Sequence, residues 1–200
     1  MFPLIKLFKK RWILFDQAVR PYKPYVTVDL GITSISPKDI IALNSPSKTI
    51  KKDDKLTELR KSVEIKGWND KDPADLHLFR LPNGKYTVAT GGNRRSYLSN
   101  QLDIPKIKAL VTILIPEQYI TENIKSQIEY YSNKEEMYKK EALELDKFLQ
   151  KQGFKRKNYH KEEKLYNDYC KLSEDMSKKR DAILLSLAKF LNLLPKEGAD

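Results

Sequence analysis

Between residues 25 and 35 apolar and polar side chains alternate, with Val26, Val28, Leu30, Ile32 and Ile35 close to a period of two, which predicts a β-strand. Leu56, Leu59 and Val63 then recur at three- and four-residue steps. They predict a helix over 55–66 with Ile65 added to its core face, Asp54 as its cap and Gly67 as its end. Two β-prone runs, 76–81 and 85–90, flank Pro82-Asn83-Gly84, a hairpin turn signal, and another strand is expected over 106–115 after Ile104-Pro105. Ser36-Pro37-Lys38-Asp39 opens a short helix, with proline near its first turn. Residues 20–25, with prolines at 21 and 24, read as an extended linker. Asn44-Ser45-Pro46-Ser47 reads as a loop, followed by a basic polar stretch through Asp54, and 69–74 as a second loop.

Beyond Pro116 no strand pattern remains. Helical patterns run over 116–132, 134–152, 160–173 and 178–194, with Gly153 separating the second from the third. The expected class is α+β: a mixed sheet with short helices, followed by an all-helical C-terminal extension. The divisions are an arm and linker over 1–24, a compact domain over 25–115 and the extension over 116–200, with no internal repeat.

At helical spacing Leu4, Ile5, Phe8, Trp12 and Phe15 share a face, with Lys6, Lys9, Lys10 and Arg11 largely elsewhere. Such an arm packs its apolar stripe on the domain, lies on a membrane or tracks DNA phosphates; packing is favoured. The basic residues interrupt any signal-peptide core, and no run is long enough to span a bilayer.

Charge narrows the choice of partner. The 200 residues carry a net charge of +11, of which residues 1–115 hold +10 and residues 116–200 only +1. A basic excess in the strand-rich half favours nucleic acid, a nucleotide or an anionic surface. The single cysteine, Cys170, excludes an intramolecular disulfide and fits a cytoplasmic location; its spacing to Tyr166, Tyr169 and Leu172 suggests helix packing. His77 and His160 match no metal-site spacing.

Chemistry concentrates in Gly91-Gly92-Asn93-Arg94-Arg95-Ser96, between the run ending at Thr90 and a short helical segment, 96–102. Strand, double glycine and helix start together build an anion site. The glycines admit close approach, the first helical turn offers unpaired N–H groups, and two arginines add charge-assisted hydrogen bonds. The alternative is a plain strand-to-helix turn with two solvated arginines.

Laid in order, the motifs over about 26–115 resemble the ParB/sulfiredoxin (ParB-like nuclease domain) superfamily. They are Ile35-Ser36-Pro37, Leu56-x-x-Leu59-x-x-Ser62-Val63-x-x-x-Gly67, Leu78-Phe79, Asn83-Gly84-Lys85-Tyr86-x-Val88, the glycine-arginine box, and Ile104-Pro105 with Ile107, Ala109 and Val111. The resemblance implies phosphate binding by Gly91, Gly92, Asn93, Arg94, Arg95 and Ser96. Asn93 stands where ParB-like proteins carry glutamate and where sulfiredoxins carry their reactive cysteine, so sulfiredoxin chemistry is not expected. Asp39 falls where related kinases place a glutamate base and is the candidate to orient water toward a γ-phosphate; its alternative role is a helix cap. Thr121-Glu122-Asn123-Ile124 resembles the following Glu-Asn box, with Ser126 at its arginine place. Glu122 and Asn123 are thus candidates for metal or phosphate contact, or simply part of a solvated helix face. Lys178 through Pro195 faintly resembles the segment closing a ParB helix-turn-helix.

The resemblance implies ATP or CTP with Mg²⁺ as cofactor, slow hydrolysis coupled to DNA binding, and a plasmid, phage or chromosome-maintenance setting; a homodimer is compatible with it. Candidate DNA contacts are Lys9, Lys10, Arg11, Lys155, Arg156 and Lys157. The last three sit in an acid-free basic run with Phe154 and Tyr159, which equally fits a solvated helix junction. Lys48, Lys51, Lys52 and Lys55 form a second basic cluster. The alternatives are a metal-dependent DNase of the same fold, drawing on Asp29, Asp39 and Glu122, a non-catalytic DNA-binding module, and a small-molecule kinase.

Overall fold

β-Prone and apolar runs that are separate in sequence assemble into one six-stranded mixed sheet in the computed structural model, which describes residues 11–152 and 159–195. The strands are β1 (Ile13–Leu14), β2 (Tyr25–Ile35), β3 (Ile40–Leu43), β4 (Leu76–Arg80), β5 (Tyr86–Gly91) and β6 (Ile107–Pro116), in the spatial order β1-β3-β5-β4-β6-β2. β1, β3 and β5 run parallel, β4 is antiparallel to β5 and parallel to β6, and β2 closes the far edge antiparallel to β6. The helices are α1 (Phe15–Val19), α2 (Ser47–Lys51), α3 (Asp54–Lys66), α4 (Asn93–Gln101), α5 (Glu122–Lys151) and α6 (His160–Phe190). The fold is therefore mixed α and β with a helical C-terminal region.

The sheet has a core on each face. Leu76, Leu78, Val88 and Val111 pack with Leu56 of α3 and Leu98 of α4. Phe79, the neighbour of Leu78, points to the other face and joins Val19, Leu81 and Leu114. β6 is apolar along nearly its whole length because both its faces are covered.

The chain divides into two units, Met1–Glu117 with Asn192–Asp200, and Gln118–Leu191. The described part of the expected arm is integral to the first. Ile13–Leu14 pairs with Ala42–Leu43, and Ala18 and Val19 are buried. Trp12 and Phe15 do not share a helical face. Trp12 packs near Tyr97, at 6.1 Å between rings, whereas Phe15 packs edge-on to Phe79 at 5.6 Å in the other core. Residues 20–25 hold a single 3-10 turn, Arg20–Tyr22, and a cis Lys23–Pro24 bond before β2 begins.

Further differences have local causes. In β2 the register slips between Asp29 and Gly31, whose φ is +87°, and the slip flips the alternation. Val28 is buried before it and Ile35 after it, while Ile32 turns outward at 57% exposure. β3 and α2 escaped the sequence reading, being four and five residues long, too short to show a period. The cap of α3 is Asp53, which accepts the Lys55 N–H, rather than Asp54. Ile65 is exposed because nine residues from Leu56 is half a turn out of phase.

In the second unit the four expected helices are two. No glycine or proline occurs within 122–151 or 160–190, so nothing breaks either run. Along α5 the less exposed positions include 124, 128, 131, 135, 138, 142, 145 and 149, which alternate steps of four and three, the spacing of a helix–helix seam. α6 packs antiparallel to it: Phe148 meets Tyr159 at 5.3 Å, Tyr138 stacks on Tyr169 at 6.1 Å, and Glu135 pairs with Arg180. Cys170 is exposed on α6 rather than packed. Among the described residues no helix is long and apolar enough to cross a membrane.

Candidate functional site

The parallel strands β3 and β5 end side by side, and the chain leaves both toward the same end of the sheet. Outside such carboxyl ends is where open sheets with parallel strands bind ligands. A pocket of about 500 Å³ lies there, lined by Thr49 of α2, Asp53 and Lys55 at the start of α3, Asp75, and the Gly91–Arg95 turn into α4.

The double glycine is dictated first by packing. Gly91 and Gly92 have φ of +64° and +61°, in the left-handed region. A Cβ on Gly91 would lie 2.5 Å from the Asp75 carbonyl oxygen, and one on Gly92 would lie 2.9 Å from Leu76 Cα. The turn therefore presses against the start of β4 and delivers α4 with its first turn at the pocket. The first intrahelical bond runs from the Ser96 N–H to the Gly92 carbonyl at 2.9 Å, so the Asn93, Arg94 and Arg95 N–H groups precede the helical ladder.

The two arginines differ. Arg94 lines the pocket with its side chain 42% exposed, and its Nε–H donates to Asp53 Oδ2 at 2.7 Å. That bond holds the Asp53 carboxyl below the ordinary carboxylate range. Arg95 is locked. Its guanidinium donates to Asp70 Oδ1 at 2.8 Å and to the Asp72 carbonyl at 2.7 Å, and lies over the Trp68 ring at 5.9 Å. Asp70 also accepts the Trp68 indole N–H and the Lys108 backbone N–H, which pins the 67–72 loop to the sheet.

Of the remaining members of the glycine-arginine box, Asn93 lines the pocket and also ties two elements together, whereas Ser96 does not line it. Asn93 Oδ1 accepts the Asn44 N–H at 2.9 Å, and Asn44 Nδ2 in turn donates to the Ala89 carbonyl, tying the end of β3 to α4. Ser96 is fully buried and not part of the pocket lining.

Asp39 is not brought to the pocket. It ends the 3-10 turn Pro37–Asp39 before β3 and accepts from Lys85 Nζ at 2.7 Å. Ile40 pairs with Tyr86 at the opposite end of β5 from Gly91, about 16 Å away at ~3.3 Å per residue. Parallel pairing of β3 with β5 is what separates them. Asp29 and Asp39 adjoin strands four places apart in the sheet, about 19 Å at ~4.8 Å per strand, so these two nuclease candidates do not converge. Glu122 and Asn123 belong to the second unit, exposed in the first turn of α5 behind the cap Thr121; Ser126 bonds back to the Glu122 carbonyl. Among the described residues no group of three His, Cys, Asp or Glu side chains is arranged to hold a metal.

Lys9, Lys10, Lys155, Arg156 and Lys157 lie outside the described residues; Arg11 is exposed. Lys48 and Lys52 border a shallow depression beside Asp53, adjoining the pocket. The segment from Lys178 continues α6 without a turn to Phe190. After it Leu193 and Leu194 are held through their carbonyls by Arg80, at 2.6 and 3.2 Å. The sequence reading missed Asp53 and the Trp68–Asp70 latch. An aspartate two residues ahead of a helical run is the one signal that could have found the former.

Comparison with protein-family models, with curated proteins and with solved structures gives no match.

Proposed function

We propose that this chain is a ParB-like nucleotide-binding protein whose phosphates sit at the start of α4, and that binding is coupled to DNA through its basic surfaces. The observation that carries this reading is the convergence of the α4 N-terminus and the exposed Arg94 on one pocket beyond the ends of β3 and β5. Lys55 in the lining and Lys48 and Lys52 beside it supply further positive charge. Arg94 is the exposed phosphate ligand, and Arg95 sets the shape of the site.

Mg²⁺ fits as a companion of the phosphates: Asp75 in the lining is a hard oxygen donor of the kind it takes, and the ion would neutralise charge developing on phosphoryl oxygens. The water-orienting role expected of Asp39 passes in this reading to Asp75, which lines the pocket. The distance of Asp39 from the pocket also favours a second reading, a nucleotide-gated DNA-binding module without turnover.

Titration calorimetry with ATP and CTP, with and without Mg²⁺, followed by product analysis, tests both. Binding with phosphate release supports an NTPase, and binding alone supports the gated module. No heat with either nucleotide rules out both readings.

A further inference from the structure

Outside the pocket lining, one side chain from each of four consecutive strands joins a single hydrogen-bonded chain. Thr90 Oγ1 on β5 lies 3.2 Å from His77 Nδ1 on β4, His77 Nε2 lies 2.7 Å from Thr112 Oγ1 on β6, and Thr112 Oγ1 lies 2.5 Å from Asp29 Oδ1 on β2. The direction of this chain follows from its end. A carboxylate only accepts, so Thr112 donates its one proton to Asp29. Its oxygen then accepts from His77 Nε2, which therefore carries the imidazole proton. Nδ1 is left as a lone pair, and the group facing it is the Thr90 hydroxyl as donor.

The surroundings hold this order in place. Thr112 is 3% exposed, whereas Thr90 is open to solvent. The Phe79 ring meets the imidazole edge-on at 5.6 Å. Register slips fall beside both Asp29 and His77, and such slips re-aim side chains. An accessible hydroxyl, a base with its lone pair on that hydroxyl and a third group orienting the base are the parts of an activated nucleophile.

We propose that Thr90 is the nucleophile of an acyl-transfer site with His77 as its general base, and with Thr112 and Asp29 as positioning residues. The substrate class is a neutral carboxylic ester, because the one charged member of the chain is a carboxylate, which disfavours an anionic phosphoryl group. Thr90 Oγ bonds to the carbonyl carbon as its proton passes to His77 Nδ1. The bond to the leaving alkoxide breaks, and His77 hands the proton to the departing alcohol. Water then attacks acyl-Thr90, giving its proton to His77. As the acyl–oxygen bond breaks, that proton returns to Thr90 and the carboxylic acid leaves. Asp29, through Thr112, stabilises the imidazolium formed in each half.

The test is incubation of the full chain with p-nitrophenyl acetate, following nitrophenolate release and mapping acetyl groups by peptide mass spectrometry. The expected result is an acetyl group on Thr90, kept by Thr90→Ser and lost in Thr90→Ala. Nitrophenolate release should fall at least about 100-fold in Thr90→Ala and in His77→Gln. Thr112→Val should lower kcat at unchanged KM, with Thr112→Ser restoring it. Acetyl groups confined to lysines, or release unchanged by Thr90→Ala, would overturn the proposal. Thr90 is exposed, so that variant keeps its fold.

Discussion

The Arg94 guanidinium donates to the Asp53 carboxylate at 2.7 Å, both in the pocket lining, so the chain's own carboxylate engages the side chain proposed to hold a phosphate. Asp53 also caps α3 through the Lys55 N–H, and asparagine caps as well as aspartate does. Asp53→Asn therefore removes the competing charge and leaves the helix intact. Exposed pairs of this kind are weak, so nucleotide affinity should rise only modestly, a few-fold at most. Calorimetric titration of both proteins with ATP measures it, and equal or weaker binding by the variant would remove Asp53 as the competitor.

The same pair gives a pH signature. Arg94 depresses the Asp53 pKa below its ordinary 3.8, so the pair stabilises the fold fully above the unfolded value, and the contribution is lost as pH falls through the lower folded value. Thermal melts should show wild type above Asp53→Asn at neutral pH. The gap should close only below about pH 4. A constant gap down to pH 2 would separate the difference in stability from this ionisation.

Two adjacent arginines should answer differently to alanine. Arg94→Ala should weaken nucleotide binding at least tenfold, about 1.4 kcal/mol, with a loss of stability no larger than that of Asp53→Asn. Arg95, with its side chain 16% exposed and two acceptors and an indole ring around it, belongs to the latch holding the 67–72 loop. Its removal leaves Asp70 without a charged partner and should cost about 2–3 kcal/mol in urea unfolding. The opposite ranking would exchange the roles assigned to them.

Gly92 and Gly67 separate conformation from contact. Both have positive φ, but a Cβ on Gly67 meets nothing within 4 Å, whereas one on Gly92 meets the Leu76 backbone and side chain. Gly67 has ψ of 176°, a region essentially reserved for glycine, so Gly67→Ala should cost about 1–3 kcal/mol from conformation alone. Gly92→Ala should cost clearly more and should disturb the α4 start, seen as lost nucleotide binding. Urea unfolding of the two variants side by side reads the difference.

These glycines also mark how far the sequence could be read. The glycine-arginine box was visible as a strand-to-helix turn because glycine pairs and helix starts are local signals. That Gly92 is required by Leu76, sixteen positions earlier, is a tertiary fact that no local pattern carries. The hairpin around Pro82-Asn83-Gly84 and the long apolar β6 were legible for the same local reason. β3 was not, and its parallel pairing with β5 decided which carboxylate reaches the pocket. The family resemblance pointed to Asp39, yet strand direction puts it at the other end of the sheet from the pocket, and Asp53 arrives from a cap.

In the helical unit, Glu135 occupies a seam position of α5 with its side chain 9% exposed, paired with Arg180 of α6 and with Lys139 one turn on. Every other strongly buried residue of α5 is apolar, Ala142 and Leu149, so this carboxylate sits where packing alone would place leucine. Buried pairs of this sort contribute little net stability but penalise a shifted register, in which the charge meets no partner. Glu135→Ala strips Arg180 of its cross-helix partner and should lower stability by about 3 kcal/mol. Replacing both, Glu135→Leu with Arg180→Leu, should leave stability unchanged or raised while loosening the α5–α6 register. Urea unfolding measures the first effect. Spin labels on cysteines placed at Tyr138 and Tyr169, in a Cys170→Ser background, measure the second as a broadened distance distribution. A double variant as unstable as Glu135→Ala would assign the pair to stability rather than to register.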